Sequence, residues 1–193
     1  MNYFEIWGEL MKISRNMFII FVILLIVIMS LYAWKEYKFQ ELRAIEQLSE
    51  QTNQVLFSLI SLQDILERPD WENEKYQKEV LQSLKSFHLE ASESFNVANQ
   101  KKRYLPDEIY VTLHKLNLVT LYIYDTYEEP LREIRMQDPE KRQQTALNLS
   151  NDIKDANFKN FTIDPYTDKS IRNSWHYLNT ELSKYIETNI KSN

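Results

Sequence analysis

The longest uninterrupted pattern in the chain is apolar. From Met17 to Trp34 it reads MFIIFVILLIVIMSLYAW, with no charge and with Ser30 as the clearly polar exception. At ~1.5 Å per residue this stretch spans roughly 27 Å as a helix, close to the hydrocarbon thickness of a bilayer. Tyr32, Trp34 and Tyr37 cluster at its carboxyl end, where amphipathic rings favour the headgroup layer. Lys12 and Arg15 precede it and Lys35 and Lys38 follow, each long enough to reach the interface. The pattern predicts a transmembrane helix over 17–34, with Met17, Phe21, Leu25, Met29 and Trp34 marking its lipid-spanning length.

After this segment the pattern changes to stripes of period three and four. Ile45, Leu48, Thr52, Val55, Leu59, Leu62 and Leu66 form the first, closed by Arg68-Pro69-Asp70. Asp70 is a suitable N-cap for the next helix, with Glu72 and Glu74 in its first turn. Tyr76, Val80, Leu84, Phe87, Ala91, Phe95 and Ala98 form the second stripe, which ends near Lys101-Lys102-Arg103. Pro106-Asp107-Glu108 opens a third piece carrying Ile109, Leu113, Leu116, Thr120, Ile123 and Tyr127. Its β-branched and aromatic run, Leu118 to Tyr124, has strand character. No turn signal interrupts 107–129, however, and that length selects a helix, which Pro130 is expected to end or kink.

Asp138-Pro139 and Asp164-Pro165 each resemble a cap followed by a first-turn proline. The piece after Asp138 is poor in apolar residues, with Leu147, Leu149 and Ile153, and predicts a short outer helix followed by a loop over 157–162. Ile171, Trp175, Leu178, Leu182, Tyr185 and Ile186 form the last stripe. Each stripe needs the others for burial, and short connections favour antiparallel neighbours. The expected fold is all-α: one N-terminal transmembrane helix followed by an antiparallel four- to five-helix bundle over residues 35–193. Nothing breaks the chain between Met17 and Glu67, so a stiff continuous connection is expected. Residues 1–16 form a short tail in which Phe4, Trp7, Leu10 and Met11 recur at helical spacing. An interfacial amphipathic turn and an unstructured tail both account for that spacing.

Composition narrows the chemistry. One glycine, Gly8, stands where average usage gives roughly 13. Its scarcity removes phosphate-cradling loops, the dinucleotide fingerprint and the nucleophile elbow. Cysteine is absent, which removes disulfides, thiolate nucleophiles, zinc-thiolate sites and lipoprotein anchoring. A cleaved signal peptide fits poorly, because the apolar run is long and Leu31-Tyr32-Ala33 is a weak small-x-small site. Retention as a signal anchor is expected. Lys12 and Arg15 against Lys35, Lys38 and Arg43 do not decide orientation by charge. A long carboxyl domain translocates largely regardless of charge, so it is expected outside the cytoplasm. The bias toward Ile, Asn and Lys suggests an AT-rich bacterial or phage-like source.

The histidines His88, His114 and His176 fall one in each of three expected helices. Their positions three residues upstream, Lys85, Val111 and Asn173, exclude the glutamate-histidine pattern of di-iron bundles. No catalytic residue, cofactor or metal site is expected. Nucleic acid is disfavoured: Lys12 and Arg15 balance Glu5 and Glu9, so the part from residue 35 onward carries the whole net charge of −5. Tyr110, Tyr122, Tyr124 and Tyr127, with Tyr104, crowd the third helix. They read either as a protein-interaction surface or as a central helix buried on two faces.

The expected function is that of a non-catalytic, membrane-anchored bundle. Its partners would be the lipid bilayer and another membrane or envelope protein, or a second copy of itself, in envelope assembly, immunity or self-association. An extracytoplasmic ligand-sensing bundle acting through a partner membrane protein, and a membrane-tethered hydrolase, are the alternatives.

Overall fold

The computed structural model describes residues 3–68, 74–133, 139–155, 163 and 168–191. Helix α1 covers Tyr3–Leu66 without a break. Four more helices follow: α2 (Glu74–Lys101), α3 (Asp107–Arg132), α4 (Pro139–Asp155) and α5 (Asp168–Tyr185). No strand occurs among the described residues, so the chain is all-α, with one long apolar N-terminal helix ahead of a helical bundle. Contacts divide it into two units, 1–42 and 43–193, with α1 contributing to both.

The bundle unit is built on the stripes. Leu48, Thr52, Val55, Leu59, Leu62 and Leu66 of α1 are all buried, as are Tyr76, Val80, Leu84, Phe87, Ala91 and Ala98 of α2. Every member of the α3 stripe is buried too, and in α5 Trp175, Leu178, Leu182 and Tyr185 point inward. The buried face of α1 is wider than its stripe, because Ala44, Ser49, Leu56, Gln63 and Ile65 are also enclosed. Threonine hydroxyls inside the core are satisfied within their own helices: Thr52 Oγ1 donates to the Leu48 carbonyl (2.7 Å) and Thr112 Oγ1 to that of Glu108 (2.7 Å). This is why threonine can occupy stripe positions without a cross-helix partner.

Side-chain pairs fix the directions. Ser58 meets Glu90 and Tyr76 meets the Ile65 carbonyl, so residue numbers fall along α2 as they rise along α1. His88 with Tyr124, Ser92 with Asn117 and Phe95 with His114 give the same antiparallel sense for α2 and α3. Helices α3 and α5 instead run parallel: Glu108 meets His176, Lys115 meets Asn179 and Ser183, and Tyr122 meets Tyr185. The chain between Arg132 and His176 returns to the level of Glu108, so α5 lies beside α3 in the same direction. In α4 the inward positions are Ala146, Leu149, Ser150 and Ile153, while Leu147 is exposed.

Two prolines sit at the ends of α3. Pro106 is the N-cap of α3 and not its first helical residue. Its carbonyl accepts from the Ile109 (3.1 Å) and Tyr110 (3.3 Å) amides. Pro130 does not end α3, which continues to Arg132. Only the Thr126 carbonyl loses its helical donor, and Thr126 is exposed, so water can replace it. The Asp70 and Asp138 caps, the Asp164-Pro165 pair, the 157–162 loop, the Ile171 side chain and the facing of residues 1–16 lie outside the described residues. After α5 the chain makes one π-helical turn, Ile186–Ile190, closed by the Lys191 amide on the Ile186 carbonyl (3.0 Å).

One tertiary tie stands out from the helix packing. The Asn53 side chain donates to the Ile163 carbonyl through Nδ2 (2.8 Å) and accepts from the Ile163 amide through Oδ1 (2.8 Å). Both backbone groups of a fully buried residue are thus satisfied by one amide. Asn53→Ala is expected to cost about 1–3 kcal/mol, since two buried backbone groups lose their partners. Urea unfolding, with hydrogen exchange at the Ile163 amide, checks this.

Candidate membrane anchor and interaction surfaces

The apolar segment of α1 makes no core. Met17, Phe21, Leu25, Met29 and Trp34 are 44–66% exposed, and no side chain from Met17 to Phe39 is buried or half-buried. A helix of a water-soluble fold turns one apolar face inward and a polar face outward. Here apolar side chains point outward on every side. Such a surface far exceeds what soluble monomers expose, and it is suited to lipid. Between Met17 and Leu31 there are twelve Leu, Ile, Phe or Val residues. At about 0.3–0.6 kcal/mol each on the insertion scale, they favour the membrane by about 4–7 kcal/mol. The backbone of the segment is closed by its own helical bonds, which the bilayer interior requires. Length and composition make it a candidate membrane span.

The four tyrosines of α3 are distributed among helix contacts. Tyr127 is buried and its hydroxyl donates to Asp152 Oδ2 of α4 (2.5 Å). Tyr122 meets Tyr185 of α5 edge-on, with centroids 6.5 Å apart. Tyr124 stacks on His88 of α2 at 5.0 Å, and Tyr110 packs against Phe95 while donating to Asn99 Oδ1 (2.8 Å). Helix α3 thus touches α2, α4 and α5, with an aromatic ring at each junction.

Burial, and then the hydrogen bond to Asp152, push the Tyr127 hydroxyl well above the ordinary tyrosine range. A folded-state pKa raised above the unfolded one gives stability that is complete below pH 10 and lost as pH climbs beyond it. The contribution of this group is therefore expected to be flat to about pH 9 and to fall above pH 10. Tyr127→Phe removes one proton's share of that slope, up to about 1.4 kcal/mol per pH unit. Denaturant titrations at several alkaline pH values give the comparison.

The histidines occupy separate contacts. His88 lies against Tyr124, and burial lowers its pKa against the opposing pull of Asp125, so folding favours the neutral ring. His114 tilts against Phe95 at 5.2 Å, and His176 Nδ1 lies 2.8 Å from Glu108 Oε1 at an exposed position. Among the described residues no three His, Asp or Glu side chains come together as a metal-ligand set.

Open grooves mark the bundle surface among the described residues, and two of them are mainly apolar. One, of about 410 Å³, lies between α3 and the π turn and is lined by Leu118, Leu121, Tyr122, Ile186 and Ile190, together with Asp125 and Thr126. The other, of about 520 Å³, is formed by α1 and α2 around the exposed Phe57, with Ser58 and Glu90. Both are shallow and mainly apolar.

Comparison with protein-family models, curated proteins and solved structures finds no match for this chain. What is established is a helical protein with one candidate membrane helix.

The candidate span and the tyrosine-rich helix are legible in the sequence, whereas Asn53, Asp152 and the Lys115 amine, which bridges Asn179 (2.8 Å) and Ser183 (2.7 Å), are not. None of them sits on an apolar stripe. Asn179 and Ser183, four apart on α5, are the one spacing that could have marked a shared partner.

Proposed function

We propose that this chain is a single-pass, membrane-anchored helical-bundle protein without catalytic activity. Its bundle presents a protein-interaction or scaffold surface on the extracytoplasmic side. The observation that carries this reading is the all-round apolar exposure of residues 17–34 beside a bundle whose own apolar stripes are enclosed. A non-catalytic role is supported by the perturbed groups: the shifts at His88, Tyr124 and Tyr127 follow from burial and helix-to-helix or neighbouring-residue contacts, and not from polar groups converging in a cleft. The open grooves suit a protein surface better than a small molecule, which is normally held in a concave site that buries most of it. The partner is another membrane or envelope protein, or a second copy. In-cell crosslinking followed by mass spectrometry is expected to recover the chain joined to such a protein. Recovery of monomer alone, at crosslinker levels that capture a known membrane complex, contradicts the reading.

A further inference from the structure

Resting on the interaction-surface reading, we infer that the α1–α2 groove around Phe57 is the docking face. Its occupant is a helix of another protein that carries an apolar anchor between basic residues.

Phe57 supplies the contact point. It is 69% exposed, whereas every other large apolar residue of α1 from Ile45 to Leu66 is buried or half-buried. It lines two open grooves between α1 and α2. One, of about 520 Å³, adds Leu56, Ile60 and Glu90. The other, of about 380 Å³, adds Ser61, Glu79 and Ser86. An exposed ring beside two grooves offers an inserted side chain both a hydrophobic contact and space.

Charge selects the occupant. Residues 44–67 carry Glu46, Glu50, Asp64 and Glu67 and no lysine or arginine. At roughly 100° per residue, with Phe57 as zero, Glu50 points to roughly 20° and Glu46 and Asp64 to roughly 340°. All three are exposed on the same side of α1 as the Phe57 ring, and none makes an ion pair among the described residues. From α2 come Glu79 and Glu90, the latter held by Ser58 Oγ, which donates to its Oε2 (2.5 Å). Lys78 and Lys85 lie roughly 100° and 140° round α2 from these two carboxylates. Arg43, Arg68 and Lys75 stand at the ends of the face. An apolar contact point set among uncompensated negative charges attracts a basic surface and repels an acidic one.

The same charges disfavour other occupants. A second copy docked through this face by two-fold symmetry opposes Glu46, Glu50 and Asp64 to like charges. Anionic headgroups and phosphate backbones are repelled as well. The groove at Leu121 has one carboxylate, Asp125, and selects no partner in this way.

Spacing sets the geometry of the partner. Glu50 and Asp64 each lie seven residues from Phe57, about 10.5 Å along the helix axis. A seven-residue spacing keeps side chains on one seam when two helices pack side by side. The matching helix therefore carries a leucine, methionine or aromatic residue, with lysine or arginine near seven residues on each side.

The test replaces Phe57, or Leu121 in the other apolar groove, by the photo-crosslinking residue para-benzoylphenylalanine in the full chain, in the cells that naturally make it. Irradiation is followed by mass spectrometry of the attached peptide. The expected result is an adduct at 57 with a different protein, through a peptide with basic residues on both sides of an apolar one. Glu50→Lys together with Asp64→Lys is expected to lower its yield several-fold, while Glu129→Lys on α3 leaves it unchanged. All these positions are exposed, so each variant should keep its helical circular dichroism. An adduct with a second copy, an attached peptide without basic residues, or a yield indifferent to the charge reversal overturns the inference. So does an adduct at 121 with none at 57, which leaves the interaction reading standing. No adduct at either position contradicts both.

Discussion

Replacing Leu25 and Ile26 together by arginine is expected to abolish membrane insertion. Each arginine near the centre of a span costs about 2.5–3.5 kcal/mol, so the pair costs about 5–7 kcal/mol and also forfeits two favourable residues. The whole favourable term from the aliphatic and phenyl side chains of the span is about 4–7 kcal/mol, so the balance is removed or reversed. Both positions are exposed and touch no part of the core, so the bundle should keep its helical circular dichroism. The variant is expected to leave the membrane fraction, whereas Leu25→Ile with Ile26→Leu stays in it. An arginine pair that remained membrane-bound would mean that something other than residues 17–34 holds the chain to lipid.

The second large effect is in the bundle. Among the described residues Trp175 is the largest fully buried side chain, and it shares the core with Leu48, Phe87, Leu113 and Leu149. Truncation to alanine removes the favourable burial and leaves a cavity that close-packed neighbours fill only in part, a loss of about 3–5 kcal/mol. This is a large fraction of the stability of an ordinary domain, so Trp175→Ala is expected to be partly unfolded at physiological temperature. Phe57→Ala serves as the control, because Phe57 is 69% exposed and its loss should change stability by less than about 0.5 kcal/mol. Urea unfolding of the detergent-solubilised chain, followed by circular dichroism, separates the two. Equal losses would contradict the assignment of Trp175 to the core.

The stripes were legible in the sequence because burial on one side of a helix imposes a period, and that period survives in the order of residues. Leu48 through Leu66 in α1 and Trp175 through Tyr185 in α5 show it directly. The candidate span was legible for the opposite reason: its apolar side chains face outward on every side and follow no period. What the sequence does not carry is the pairing between stripes. Asn53 and Ile163 are 110 positions apart, and an asparagine that ties down a distant backbone looks like any exposed asparagine. Leu56, Ala44 and Ser49 join the core because α1 is enclosed on more than one side, which depends on its neighbours and not on its own order. The parallel placement of α3 and α5 depends on where the chain returns between Arg132 and His176, which no stripe encodes. The passage of α3 through Pro130 depends on the exposure of Thr126.

The tyrosines of α3 admitted two readings because they have two chemical halves. Their rings suit a binding surface and an internal junction equally well, and only the positions of His88, Asp152 and Tyr185 show that the rings meet neighbouring helices. Of the exposed apolar residues of the bundle, Leu118, Leu121 and Phe57 lie at these grooves, and these surfaces remain available for the partner proposed above.

The most direct test is alkaline carbonate extraction of membranes from cells that make the native chain, with the intact mass of the recovered protein measured. The account predicts a chain that resists extraction, dissolves in detergent and retains Met17 to Trp34. Recovery in the carbonate supernatant, or of a chain that starts after Ala33, would contradict it.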